Sequence, residues 1–404
     1  MQLFFYAAMV LLLGCFLGLL ARDFAGNQAG IFYRKGERLF EDYVRVAKYS
    51  ATRNPYFDDT NGFAEHAYPP FVYCLFWALS KFADFANPAL DAYGAGHTLL
   101  CLVEISLLTT LCTLVLFLVL YEMNKNAKLH QVLLTLCLFG SGIFITSYER
   151  GNVIFLSVIM TSLYLLLYSA ENKILREIGF LSLAVAAAIK CFPAVFGLLL
   201  LYEKRWKEAA RLAVYGVMAF FVPFLFLRGG LANLPQWVAN LKVFGRDYLY
   251  QTAFGWQGLM RYVPEAVRGI FALLCKAVTL LLMAGCALCG LFQKTAWKRI
   301  TFLACIQILF PSVSHIYCGL YLLPCVVLFF NDALIEKRNW GYTALFVGIL
   351  SPLQWVAGDN NFTYSVVNVL VMLLFFALCL ENGAAAYHAF AKKRTTAAVS
   401  AGTE

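Results

Sequence analysis

The sequence predicts an all-α polytopic membrane protein, with about 12 transmembrane helices and a long first extracytoplasmic loop. Three observations carry that prediction. Of the 404 residues, 61% are hydrophobic and only 14% are charged, where a soluble domain carries roughly 25% charged residues; mean hydropathy is +0.71. The apolar residues gather in repeated runs close to the ~20 that a spanning helix needs. The Lys and Arg behind the net charge of +9 sit mostly in short loops between those runs, where positive charge marks the cytoplasmic side. That placement argues against nucleic acid as a partner and for the lipid bilayer as the surrounding phase.

Residues 1–21 are expected to form the first transmembrane helix. Leu12-Leu13-Gly14-Cys15 looks like a lipoprotein cleavage box. No basic residue precedes it, however, and the apolar run continues to Leu20, so a retained span is expected. Residues 22–97 form an extracytoplasmic loop with interfacial helices. Within it, 70–86 is apolar but short, opens on Tyr68-Pro69-Pro70 and carries Lys81 and Asp84. A crossing there would put Lys125 and Lys128 outside, so this segment is expected to be interfacial or re-entrant. Residues 98–381 form a transmembrane bundle and 382–404 a cytoplasmic tail, the whole chain being one membrane domain. Basic loops at 125–128, 173–176, 204–211, 294–299 and 337–338 fall inside. The turns at 148–152, 190–193, 228–264, 312–317 and 358–363 fall outside, and both termini are cytoplasmic. The weakest span is 191–202, short and interrupted by Pro193.

The 13 cysteines lie almost entirely inside apolar runs, where Cys behaves as a small buried hydrophobe. Cys286 and Cys289 form a C-x-x-C within such a run, and neither a structural disulfide nor a zinc site is expected. Asp58-Asp59 lacks a further ligand at metal spacing. No metal and no cofactor are therefore expected.

Ionisable residues at membrane depth are costly and point to function. Glu149 and Arg150, Lys190, Arg261 and His315 all fall on the outer face in this topology. Each has a plainer reading: Arg150, Lys190 and Arg261 as snorkelling cations, Glu149–Arg150 as a surface ion pair, His315 as a satisfied core histidine. Glu104, inside its span, lines a cavity or pairs with a neighbour. Cations gathered on the outside run against the positive-inside trend, and an anion such as phosphate would compensate them.

Several patches then resemble the polyprenyl-phosphate-sugar-dependent mannosyltransferases of glycosyltransferase family 87, which have the GT-C fold. They are Asp42-Tyr43-Val44-Arg45, Asn54-Pro55-Tyr56 and Tyr68-Pro69-Pro70-Phe71 in the first loop. Glu149-Arg150-Gly151-Asn152 falls on the family's G-Q-x-N, keeping only Asn152. Ala188-Ile189-Lys190-Cys191-Phe192-Pro193 falls on A-x-K-x-x-P. Phe254-Gly255-Trp256-Gln257-Gly258-Leu259-Met260-Arg261 and Pro311-Ser312-Val313-Ser314-His315-Ile316-Tyr317 follow. The last patch leaves open whether His315 or Tyr317 takes the family's His role.

The resemblance implies a GT-C-like bundle in a bacterial plasma membrane, with its active site on the extracytoplasmic side. It implies transfer of a sugar, mannose or another hexose, from a polyprenyl-phosphate donor to a glycan or glycolipid acceptor of the cell envelope. In the family, an Asp early in the first outside loop is the proposed base. Asp42 takes that place here, with Glu41, Asp58 and Asp59 as weaker alternatives. Arg150, Lys190 and Arg261 are candidates to hold the donor phosphate, and Glu149, Gln257, His315 and Tyr317 are further site candidates. The rival reading is a transporter or flippase of a lipid-linked or small anionic substrate. Such folds usually show two similar halves, and no internal repeat is visible here.

Overall fold

The apolar runs fold as helices in the computed structural model, which describes residues 1–22, 40–57, 66–83, 99–248, 253–332, 339–357 and 360–401. In chain order these are α1 Gln2–Arg22, α2 Glu41–Ser50, α3 Pro70–Leu79, α4 Leu99–Met123, α5 Lys128–Phe139, α6 Gly142–Arg150, α7 Ile154–Leu167 and α8 Lys173–Ile189. Then come α9 Leu198–Tyr202, α10 Trp206–Phe221, α11 Asn233–Asp247, α12 Gly255–Leu259, α13 Glu265–Cys289, α14 Ala296–Leu309, α15 Leu322–Asp332, α16 Trp340–Leu350 and α17 Thr363–Ala401. One antiparallel ladder pairs Val356–Ala357 with Asn360–Asn361.

Four segments are long and apolar enough to cross a bilayer unaided: Gln2–Ala21, Val103–Met123, Trp206–Phe226 and Thr363–Ala389. Helices α5 and α6 make a fifth if the pair, bent by 60°, is one span. The bend has a local cause: Gly140 closes α5, and the Ser141 hydroxyl caps α6 by accepting from the Phe144 amide at 3.3 Å. Large side chains at three- and four-residue spacing along α4, including Leu107, Leu111, Leu114 and Leu118, are more than half exposed. A band of that kind belongs against lipid. The chain is a helical, multi-pass integral membrane protein.

Length alone therefore accounts for fewer crossings than the expected twelve, because several apolar runs fold as shorter pieces. The stretch 191–202 becomes a 3₁₀ turn, Phe192–Gly197, followed by the five-residue α9, with Pro193 fixing the tighter turn. Helix α3 has 10 residues, about 15 Å at 1.5 Å per residue, half the ~30 Å of a hydrocarbon core. Past Glu381, helix α17 continues unbroken to Ala401.

Two apolar clusters divide the interior. The larger runs through α7, α14, α15 and α17, with Phe302, Leu323, Phe329 and Phe375 at its centre. The smaller joins α2 and α3 to the N-terminal part of α4 and the C-terminal end of α8 through Tyr43, Val44, Tyr73, Phe76, Cys101 and Ile189. Polar clasps close over it. From α11, Asn240 Nδ2 donates to the carbonyls of Tyr56 (3.0 Å) and His66 (3.1 Å), and Trp237 Nε1 donates to that of Ala67 (3.2 Å). The two long loops thus lie on each other. Asp58, Asp59 and Asp84 fall outside the described residues, as do the side chains of Cys286 and Cys289.

Candidate active site

Helix α2 forms because its apolar positions fall on one face. Tyr43, Val44, Val46, Ala47 and Tyr49 are buried, while Arg45 turns back to pair with Glu41 at 2.6 Å. Its start is pinned to the end of α6: the Phe40 amide donates to the Glu149 carbonyl at 2.8 Å. The approach is close enough to need glycine. Gly151 sits at φ +59°, and a Cβ there would lie 3.1 Å from the Phe40 ring and 3.3 Å from Tyr43 Cβ.

This docking brings together residues more than a hundred positions apart. Arg150 grips Asp42 with both arms, Nε to Oδ2 at 2.9 Å and Nη2 to Oδ1 at 2.6 Å. Asn152 Nδ2 donates to the same Oδ2 at 2.7 Å and lies 3.3 Å from the Tyr68 hydroxyl. Its Oδ1 accepts from the Ile154 amide at 2.9 Å, so the start of α7 holds it in place. Burial works to raise the Asp42 carboxyl, but the Arg150 charge and hydrogen bonds, the Asn152 donor and the charge of His315 overcome it and lower it to about 2. Burial raises the Tyr68 phenol, which keeps it a neutral hydroxyl at this site.

Lys190, at the end of α8, adds the next layer. Its ammonium lies 4.6 Å from the centre of the Tyr68 ring and 5.4 Å from that of Tyr317, held by two aromatic faces. Among the described residues no carboxylate pairs with it. Tyr317 opens the 3₁₀ turn Ile316–Tyr321, which packs on α6. The His315 ring lies 5.4 Å from Tyr317 and 6.4 Å from Tyr248. Both candidates for the family's His position therefore stand beside Lys190, Tyr317 in contact and His315 one ring further out.

The remaining candidates sit on a neighbouring loop. The Ala253 and Phe254 amides both donate to the Ser314 carbonyl, at 2.7 and 3.1 Å, and Gly255 exchanges two hydrogen bonds with the Asn368 amide. Gln257 carries a buried Oε1 with no hydrogen-bond partner among the described residues. Arg261 is exposed, and its Nε turns back to the Gly258 carbonyl at 3.2 Å. The contact shown for Arg261 is thus local, unlike those of Arg150 and Lys190. Glu149 is buried and serves α2 through its backbone. Glu104 accepts from the Tyr43 hydroxyl at 2.7 Å, which settles its alternatives in favour of a partner and holds α2 against α4.

Sequence reasoning placed neither Asn152 nor Tyr68 among the site residues, although both stand in patches it singled out. The signal was present: Asn152 is the one residue strictly kept in its patch.

The chain matches the sequence pattern of Glycosyltransferase family 87 over residues 66–314, more than half of its length. It belongs to glycosyltransferase family 87. No curated protein matches it, and no solved structure does either. As a family 87 protein it is a transferase that takes a sugar from a donor to an acceptor. The matched segment contains Tyr68, Arg150, Asn152, Lys190, Gln257 and Arg261, and stops just before His315. Asp42 precedes it and is tied to it by its contacts with Arg150 and Asn152.

Proposed function

We propose that the protein transfers a hexose, mannose being the first choice, with inversion from a polyprenyl-phosphate donor to a glycan or glycolipid acceptor on the extracytoplasmic side. The observation that carries the reading is that a half-buried carboxylate, Asp42, and a cation with no carboxylate partner among the described residues, Lys190, flank the same phenol. Asp42 and Lys190 both neighbour Tyr68, through Asn152 on one side and a ring face on the other. In this reading the chain crosses twelve times with cytoplasmic termini, the shorter helices crossing in company with their neighbours, and the cluster lies at the outer mouth.

In this reading Asp42 is the general base. A carboxylate offers about four acceptor sites. Arg150 and Asn152 use three, which leaves one on Oδ1 for an acceptor hydroxyl. As that proton moves to Asp42, the acceptor oxygen attacks the anomeric carbon. The bond from that carbon to the phosphate oxygen breaks, and its electron pair leaves with polyprenyl phosphate. The Lys190 ammonium meets the growing negative charge, and Arg150 shares its charge between Asp42 and the phosphate. That sharing makes Asp42 more basic when donor is present than when it is absent. Arg261 is a rim cation that would reach the phosphate by extending from its loop. Purified protein given a radiolabelled polyprenyl-phosphate hexose and a glycolipid acceptor tests the reading. Transfer that is lost in Asp42→Asn, with donor binding retained, is expected; near-normal turnover in that variant sinks the assignment.

A further inference from the structure

We propose that Arg53, Lys81 and Arg228, three cations gathered where the first loop meets the end of the Trp206–Phe226 span, bind the headgroup of an anionic phospholipid. The span fixes their depth. Its 21 residues are enough to cover the hydrocarbon thickness, and a carbonyl at its end has no partner within the helix. Arg53 supplies one, donating to the Phe226 carbonyl from Nε at 2.8 Å and from Nη2 as well. The guanidinium is thereby held where hydrocarbon ends and headgroups begin. Arg228 stands just past the same boundary. Its amide donates to the Arg53 carbonyl at 3.0 Å, and its side chain is exposed. Lys81 arrives from α3. Its ammonium lies 5.1 Å from the centre of the Trp77 ring, and Arg53 Cζ lies 4.9 Å from the same centre.

The chemistry of the patch identifies its ligand. None of the three cations pairs with a carboxylate among the described residues, so an anion from outside the chain would complete them. Arg53 holds φ +58°, a left-handed backbone that favours glycine. An arginine kept at such a position points to use of its side chain there. Below the cations the surface turns apolar: Phe57, Phe82, Leu225 and Phe226 are each more than half exposed, and Trp77 takes the interfacial level that tryptophan favours. A soluble anion would meet the cations and leave this apolar rim in water. A phospholipid meets both, with its charge at headgroup depth and its acyl chains along the rim. Bound there, one headgroup would tie the first loop to the end of the span, since Arg53 follows α2, Lys81 follows α3 and Arg228 follows the span itself. The site stands apart from Asp42 and Lys190 and does not depend on the donor.

Purified full-length protein in detergent, titrated with dioleoyl phosphatidylglycerol or dioleoyl phosphatidylcholine and read by native mass spectrometry, tests the site. Phosphatidylglycerol is expected to bind at least about fivefold more tightly, the worth of a single cation near an anionic headgroup. Lys81→Gln combined with Arg228→Gln, both at exposed positions, is expected to erase that preference, while Lys81→Arg with Arg228→Lys keeps it. Arg53 is left intact because it also closes the span. The thermal midpoint gives a second reading: phosphatidylglycerol should raise it more than phosphatidylcholine does in the parent and the charge-keeping pair, and equally in the Gln pair. Equal binding of the two lipids by the parent, or an unchanged preference in the Gln pair, would overturn the proposal. Loss of the preference in the charge-keeping pair would assign it to shape and overturn the proposal too. Displacement of the lipid by equimolar glycerol 3-phosphate would make this a soluble-anion site, with the same result.

Discussion

At Asp42 the electrostatics decide what pH can do. The carboxyl is lowered to about 2 because Arg150, Asn152 and His315 outweigh burial. In the enzyme without donor it is ionised throughout the range in which cells live, and kcat/KM should show no acid limb from this group above about pH 4. Arg150→Gln removes the main opposing charge and leaves burial in place. Its acid limb should move upward by about 1–3 pH units, measured as kcat/KM against pH with a polyprenyl-phosphate hexose. An unchanged profile would mean that Asp42 is not the titrating base. The same shift links to stability: a lowered folded value contributes stability above the ordinary carboxylate range, lost as pH falls from about 4 through about 2. Lys190→Ala should weaken donor use by about 1.5–3 kcal/mol, the value of a charge-assisted contact, seen mainly as a raised KM for donor. Normal donor kinetics would leave Lys190 as a cation resting on two rings. Asp42, Arg150 and Lys190 were each legible in the sequence as residues. The chemistry of transfer also asked for Asp42 beside one of these cations, and its contact with Arg150 meets that; the bidentate form of the contact was not legible, since no local pattern encodes a contact across 108 positions. Asn152 and Tyr68 escaped the site because an amide and a phenol raise no alarm of burial or charge when met one at a time.

Among the elements, the junction of α6 with α2 carries the site. Gly151 ends α6 in a left-handed turn, and its missing side chain lets Phe40 and Tyr43 sit against the backbone. Gly151→Ala should cost about 1–2 kcal/mol for the left-handed conformation, more if Phe40 cannot give way. The loss should appear as a lower thermal midpoint together with a fall in turnover, because α2 presents Asp42. A variant as stable and active as the parent would mean that α2 does not depend on this contact. At this scale hydrophobic runs read well: 98–121, 175–189 and 364–381 each lie in one helix, to within a residue. What the runs concealed were breaks. The pair Gly140-Ser141 splits one run into two helices at 60°, and Phe192-Pro193 turns another into a 3₁₀ piece. Hydropathy averages over such positions, whereas backbone geometry depends on the single residue that caps or fixes a turn.

For the whole molecule, the deciding question is which face of the membrane holds the cluster. Donor chemistry of the proposed kind belongs outside, where no soluble nucleotide sugar is at hand. The question turns on α3. The basic loops alternate correctly only if this segment does not cross. It packs on α2 and on α8, whose C-terminal end leads into Lys190. Lys81, exposed just beyond its end, should therefore face the same compartment as Asp42. Lys207, exposed near the start of α10, should face the cytoplasm. In a cysteine-depleted background, Lys81→Cys should react with a membrane-impermeant maleimide on intact cells, and Lys207→Cys only after permeabilisation. The reverse pattern would place Asp42, Arg150 and Lys190 in the cytoplasm and remove the ground for a polyprenyl-phosphate donor. Labelling of both positions on intact cells would instead mean an even number of crossings between α3 and α10, against the odd number that the alternating loops require.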